Sequence, residues 1–225
     1  EEIAIIYGFS NIPEKCPTAA LSLGRLNAEQ KFLQELIKTA VSFGCYECIN
    51  YSFVDPDMNR DFDKNYSLTK PVVLNNPLAK EISVMRSSLA VSLVKTLQYN
   101  FSRRNQNLNF VELGKVYQLD KTNQPIEKNR LGFIITQKNN FNEWTNNEQP
   151  ADFYYCKSIL TKLFDVFHIK NLKYLEFNAQ MFQPGQSAEI FMNDSNSGYI
   201  AKIHPNLTKK YDLPESAYII EIDCA

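Results

Sequence analysis

Two hydrophobic periods divide this 225-residue chain. Between positions 87 and 102, Leu89, Leu93, Val94, Leu97 and Phe101 recur at three- and four-residue steps, which places them on one face of a helix. Ser87 precedes that run as its expected N-cap, accepting a backbone N–H. Arg103 and Arg104 fall in the expected last turn, where positive charge suits the C-terminal end of the helix dipole. From Leu108 onward the period drops to two. Leu108, Phe110 and Val116 then share one side, and Val111, Leu113, Tyr117 and Leu119 the other. A strand that is apolar on both sides belongs inside its sheet. Glu112 in such a strand needs a partner, and Arg86 is the nearest unusual cation. Gly114, in mid-strand, signals a bulge or a close backbone approach.

The same reading divides the rest of the chain. Asn27 and Gln30 make a capping box that opens a helix over 27–43, with Phe32, Leu33, Leu36, Ile37, Ala40, Val41 and Phe43 as its apolar face and Gly44 as its stop. Asp152 caps a third helix with Phe153, Cys156, Leu160, Leu163, Phe164 and Phe167 on one face. Strands are expected at Cys45–Val54, Val72–Leu74, Leu131–Thr136, Leu172–Phe177, Ser187–Met192, Tyr199–His204 and Ala217–Asp223. Between them lie a polar connection at Gln118–Arg130, an Asn-rich loop at 139–151 holding the only Trp, Trp144, and a hairpin loop at Asn193–Gly198. Pro205–Tyr211 makes at most a short helix. Glu1–Pro13 opens as if in mid-helix, with Gly8 as a left-handed stop. Hairpins rather than regular βαβ units predict an α+β fold, a mostly antiparallel sheet flanked by helices.

Composition narrows the classes. With 44% hydrophobic and 22% charged residues, the chain has the make-up of a soluble globular protein. Its length allows roughly 70–75% of the extended-chain surface to be buried without disulfides. A net charge of −1 argues against a protein held mainly by nucleic-acid phosphates. No apolar run approaches the ~20 residues of a membrane span, and no signal-peptide pattern is present. A start at Glu1 rather than Met suggests a piece of a longer protein. Five irregularly spaced cysteines suit a reducing cytosol. Cys45-Tyr-Glu-Cys48 is formally a CxxC, but it follows a helix instead of opening one, so it reads as buried thiols in a strand.

Candidate chemistry is sparse. There is no glycine-rich phosphate loop and no GxSxG elbow. Ser87-Ser88 behind Arg86 reads either as an anion-binding helix start or as an N-cap with an arginine tying loop to sheet, the second being preferred. His204, at a strand end, is either a catalytic imidazole or a histidine held by a structural bond; no obvious partner favours the first. Arg86, Glu112 and His204 together define one candidate function, an autonomous adenylating or ATP-binding enzyme. Glu1 and Glu2 are either a solvated helix start or part of an acidic cation site.

Several stretches together resemble the beta subunit of bacterial phenylalanyl-tRNA synthetase: EEIAIIYGFSNIP, INYSFV, NNPLAKEISVMRSSL, the run from Asn100 to Tyr117, PGQSAEI at 184–190, and Ile203–Pro205. The resemblance covers essentially the whole chain. Gln183, where the family commonly has histidine, is a departure. The resemblance implies a class II synthetase core over 21–225 that has lost its catalysis, preceded at 1–20 by the end of a smaller domain. It also implies an α2β2 heterotetramer in a cytoplasmic enzyme, whose alpha subunit binds ATP, phenylalanine and the tRNA acceptor end. Editing of mischarged tRNA is placed by the family in an earlier part of the beta subunit. In the alpha-type pattern GRVYR, the motif 2 arginine falls where this chain has Gln118, in GKVYQLD. Glutamine cannot supply that charge to an ATP phosphate. The Gly-rich third motif is absent as well. By the same resemblance, Glu1 and Glu2 are the last two ligands of a Mg2+ site. With no catalytic residue expected, Arg86, Glu112, Arg103 and Arg104 become internal ties and interface groups. The helices at 27–43 and 87–102 are the expected subunit contacts. A direct tRNA-binding module is a third possibility, disfavoured by the near-neutral charge.

Overall fold

The computed structural model describes residues 1–20, 23–63, 70–105, 108–138 and 149–224. Its frame is a seven-stranded sheet ordered β1 (Tyr46–Glu47), β4 (Phe110–Leu119), β5 (Pro125–Ile135), β11 (Tyr218–Asp223), β10 (Ser195–Ile203), β9 (Phe182–Met192) and β8 (Leu172–Glu176). Among the described residues, only the β1–β4 pairing of this sheet is parallel. Two small sheets pair β2 (Phe53–Val54) with β3 (Val84–Met85), and β6 (Gln137–Lys138) with β7 (Gln149–Pro150). Helices α2 (Ala28–Ser42) and α5 (Phe153–Val166) share a core with one face, and α4 (Leu89–Phe101) and α3 (Pro56–Asp61) with the other. Two short helices, α1 (Glu2–Tyr7) and α6 (Pro205–Lys210), complete the order. The expected α+β architecture is the observed one.

Local chemistry explains the helix starts. At α2 both halves of the capping box form: the Gln30 N–H donates to Asn27 Oδ1 at 2.7 Å and the Asn27 N–H to Gln30 Oε1 at 3.0 Å. Asp152 accepts from the Tyr155 N–H at 2.7 Å to open α5. Helix α4 is capped one residue later than expected. Ser88 accepts from the Ala90 N–H, while Ser87 turns away and donates to Asn59 Oδ1 at 3.1 Å. Residues Leu89 to Val94 are all buried, so α4 is apolar nearly all round and interior. Each large aliphatic side chain fully buried there contributes roughly 1.5–3 kcal/mol. That burial leaves little of α4 for the expected subunit contact: Lys95, Tyr99 and Phe101 are its exposed residues.

Other boundaries move for physical reasons. The stretch 45–54 is strand only at its two ends, because after Cys48 donates to the Val111 carbonyl the chain leaves the sheet edge. Residues 72–74 form a single bridge, Val73 to Val84. Gln118–Arg130, expected as a loop, is the far half of a long hairpin in which Leu119 still pairs with Pro125. The turn is made by Asp120, whose carboxylate accepts from the Thr122 and Gln124 N–H groups. Likewise the expected 193–198 loop shrinks to Asn193–Asp194, both with positive φ, as a two-residue hairpin requires. Trp144 lies outside the described residues.

Gly114 marks a close approach, with no register shift in β4. A Cβ there would sit 2.3 Å from Nη2 of Arg86, and one at Gly132 would meet Leu93 at 2.9 Å. These two glycines let α4 and its preceding loop press onto β4 and β5. We expect Gly114→Ala to lose roughly 2–4 kcal/mol in chemical denaturation, by displacing a buried, hydrogen-bonded arginine. A loss below about 0.5 kcal/mol, the usual range for an inconsequential surface change, would contradict this account.

Candidate functional site

Alternation along β4 turns Phe110, Glu112, Gly114, Val116 and Gln118 toward α4. Registers carry that row across the sheet from Glu112 through Gly132 and Glu221 to Tyr199. Two buried carboxylates thus stand on one face, separated by a glycine, and each has its own arginine.

The first pair is the one suggested by Arg86 and Glu112. Arg86 Nη1 donates to Glu112 Oε1 at 2.6 Å and to Ser92 Oγ at 3.0 Å, and Nε donates to the Lys115 carbonyl at 2.9 Å. Both side chains are almost wholly buried. Asn50 completes the group: its N–H and its Nδ2 reach the two oxygens of Glu112 at 3.3 and 2.8 Å. Thr96 Oγ1 on α4 donates to Asn50 Oδ1 at 2.8 Å. Loop, helix and sheet are thereby joined through one ion pair.

Sequence reasoning did not single out the second pair. Glu221 accepts from Ser88 Oγ, from the Leu89 N–H at 3.2 Å, from Tyr199 OH at 2.9 Å and from Arg130 Nη1 at 2.8 Å. It therefore sits at the start of α4, where the helix dipole favours negative charge. Arg130 also holds Asp223 at 2.6 Å. Burial alone would raise the Glu221 carboxyl. The Arg130 charge and the bonds from Ser88, Arg130 and Tyr199 outweigh burial and hold it below its ordinary 4.5. Burial, reinforced by the Glu221 charge, pushes the Tyr199 phenol well above 10. The available signal was the one that marked Glu112, a carboxylate inside an otherwise apolar strand, YIIEID.

The remaining candidates scatter. His204 caps α6 by accepting from the Asn206 N–H at Nδ1. It follows β10, which β5 and β11 separate from β4, so Arg86, Glu112 and His204 do not form one site. Arg86 and Glu112 are also committed to each other, so the autonomous-enzyme reading loses its residues. Arg103 donates to the Tyr99 carbonyl at 3.1 Å and stacks 3.4 Å above the Tyr99 ring, tying off the end of α4. Arg104, with φ +58°, lines a cleft of about 510 Å³ with Phe101, Leu108 and Pro214. Burial pushes the Cys45 and Cys48 thiols up to about 12, which keeps them protonated and unreactive. Glu1 and Glu2 are exposed at the start of α1, and among the described residues no cluster of three His, Cys, Asp or Glu side chains could hold a metal ion. These two carboxylates alone do not amount to a hard-cation site, which takes six or more oxygens. Gln118 is half-buried, and its Nε2, which is fully buried, has no hydrogen-bond partner.

Apolar side chains fill much of the α4-side face. Over β9 and β10, Phe182 lies 5.6 Å from Phe177 and 5.2 Å from Tyr199, ring to ring. Exposed apolar groups collect elsewhere: Tyr46, Ile49, Tyr51 and Phe53 along the β1 edge and the loop after it, and Phe32 and Val41 on α2.

A lowered carboxyl pKa in the folded state means that ionised Glu221 stabilises fully above its unfolded value, near 4.5, and that this stability is lost as pH falls through the lower folded value. We expect unfolding free energy to fall below about pH 4.5, with Glu221 supplying up to about 1.4 kcal/mol per pH unit of the slope. Glu221→Gln should be less stable at pH 7 but show a shallower acid limb. An unchanged acid limb would refute the assignment.

Comparison with known proteins follows this geometry. A family model described as "Phenylalanyl tRNA synthetase beta chain CLM domain" matches residues 12–224. The phenylalanine–tRNA ligase beta subunit of Carboxydothermus hydrogenoformans is 31% identical over 226 residues, and those of Syntrophus aciditrophicus and Geobacillus kaustophilus are 32% identical over 227 and 225. Each match takes in 99% of this chain but 28% of the relative, so the chain spans little more than a quarter of their length. Among solved structures, pyrrolysyl-tRNA synthetase from Desulfitobacterium hafniense is similar with a TM-score of 0.65 at 11% identity, over 88% of this chain and 67% of that one. The shared architecture is the class II synthetase catalytic fold.

Proposed function

The chain belongs to the phenylalanyl tRNA synthetase beta chain CLM domain family, and on that premise we propose that it is a non-catalytic module of a phenylalanine–tRNA ligase that packs against the catalytic alpha subunit. In this reading the alpha subunit binds ATP and phenylalanine, the holoenzyme is an α2β2 heterotetramer that charges tRNA with phenylalanine, and the setting is the cytoplasm. Among the described residues, no helix is long and apolar enough to cross a membrane.

The observation that carries the non-catalytic reading is Gln118. By the resemblance, it stands where the alpha-type pattern GRVYR has its motif 2 arginine, and a neutral amide cannot stabilise charge developing on an ATP phosphate. Two further features support it. The two cations packed into that face, Arg86 and Arg130, already neutralise Glu112 and Glu221, and aromatic side chains occupy the sheet surface beside them.

The docking reading rests on where apolar surface is left uncovered. Helix α2 keeps Phe32 and Val41 exposed, and the neighbouring edge exposes Tyr46, Ile49 and Tyr51. The relatives are beta subunits by name, so the occupant we assign to this edge is the alpha subunit. Glu1 and Glu2 fit as two carboxylates of a magnesium site completed by other residues. Residues 1–20, none of them buried, fit as the end of a preceding domain.

With phenylalanine and ATP, this chain alone should give no ATP–pyrophosphate exchange above background; clear exchange would overturn the non-catalytic reading. The full-length beta subunit should co-purify with the alpha subunit. Ile49→Glu together with Tyr51→Glu should weaken that association at least tenfold, since buried like-type apolar contacts would become unpaired charges. Undiminished association would remove this edge from the interface.

A further inference from the structure

We propose that Asn50 is the positioning residue of the docking edge: by bonding inward with all of its side-chain polar atoms, it fixes the outward presentation of Ile49 and Tyr51. This rests on the reading that the alpha subunit covers this edge.

The stretch between β1 and β2 belongs to no regular element. Ile49 is 91% exposed and Tyr51 is 88% exposed, values that would normally accompany a loop free to bury such side chains elsewhere. The stretch is instead tied at three points. The Cys48 N–H donates to the Val111 carbonyl at 2.9 Å, and the Ser52 carbonyl accepts from the Arg86 N–H at 2.9 Å. Between them, Asn50 sends its N–H and Nδ2 to the two oxygens of Glu112 and takes the Thr96 hydroxyl at Oδ1. Nδ2 also lies 3.5 Å from Cys48 Sγ.

Glu112 is a fixed anchor because Arg86 holds the same carboxylate at 2.6 Å. An Asn50 locked inward leaves its two chain neighbours, Ile49 and Tyr51, on the outside, where both stand exposed. The edge is thus ordered before any partner arrives, and association need not order it. Helix α4 also meets β4 and β5 directly, through Leu89 and Leu93 over Gly114 and Gly132, so their contact has support besides the bond from Thr96 to Asn50.

The test uses the full-length beta subunit with Asn50→Ala and, separately, Thr96→Val, which removes only the bond to Oδ1. Affinity for the alpha subunit and amide exchange are both measured. Asn50→Ala should bind the alpha subunit roughly tenfold more weakly, the scale of one segment that must be reordered on binding. Exchange at the hydrogen-bonded amides of residues 48 and 50 should rise about tenfold while β4 and α4 keep their protection, as local opening does. Thr96→Val should shift both readouts the same way by less. Wild-type affinity in Asn50→Ala would overturn the proposal. So would loss of protection in β4 and α4 along with the loop in both variants, which would make Asn50 a residue of the fold. A wild-type beta subunit that fails to bind the alpha subunit would overturn the docking reading itself, and this proposal with it.

Discussion

Two carboxylates buried on one face of a sheet are the constraint around which this molecule is arranged. An uncompensated buried charge costs several kcal/mol, so Glu112 and Glu221 each demand an arginine and further donors. The partners that answer come from far apart in the sequence: Arg86 and Asn50 for one, Arg130, Ser88 and Tyr199 for the other. Meeting both demands fixes where α4 starts, how closely it lies on β4 and β5, and why the row between them passes through Gly132.

On the non-catalytic reading, this arrangement is how a synthetase-like frame exists without the chemistry. A site for an anionic nucleotide needs free cations on an open surface. Here the buried cations are neutralised within the fold, Gln118 adds no charge, and apolar side chains fill the neighbouring surface. What the fold leaves available is its outer edge, where Ile49 and Tyr51 face outward and α2 keeps part of its apolar stripe uncovered. The same ion pair that removes Arg86 from catalysis holds that edge through Asn50, so on the docking reading interior stability and partner presentation share one set of bonds.

Much of the fold was legible because it rests on local signals. The Asn27–Gln30 capping box, the Asp152 cap and the helical spacing of apolar residues located all three long helices, and the two-sided apolar pattern of 108–119 placed β4 inside the sheet. The errors fall where local pattern and long-range pairing part company. Pro125–Arg130 reads as polar loop because that half of its hairpin reaches beyond the core, yet backbone pairing with β4 keeps it extended. Ser87 and Ser88 are equivalent caps by sequence. Asn59 claims the first and Glu221 the second, and only the folded chain brings either of them there.

By itself the sequence determined the class of fold, the family resemblance and the interior place of Glu112, because each depends on residue type and short spacing. It could not determine which cation Glu112 would take, that Glu221 would be its counterpart, or that α4 would be interior and α2 partly bare. Those outcomes depend on contacts between residues as much as 133 positions apart. Nor could it say which of the two explanations for Gly114 applies. The tertiary structure decided that, because the atom that leaves no room for a side chain there belongs to Arg86, which arrives only when the loop before α4 folds back onto the sheet.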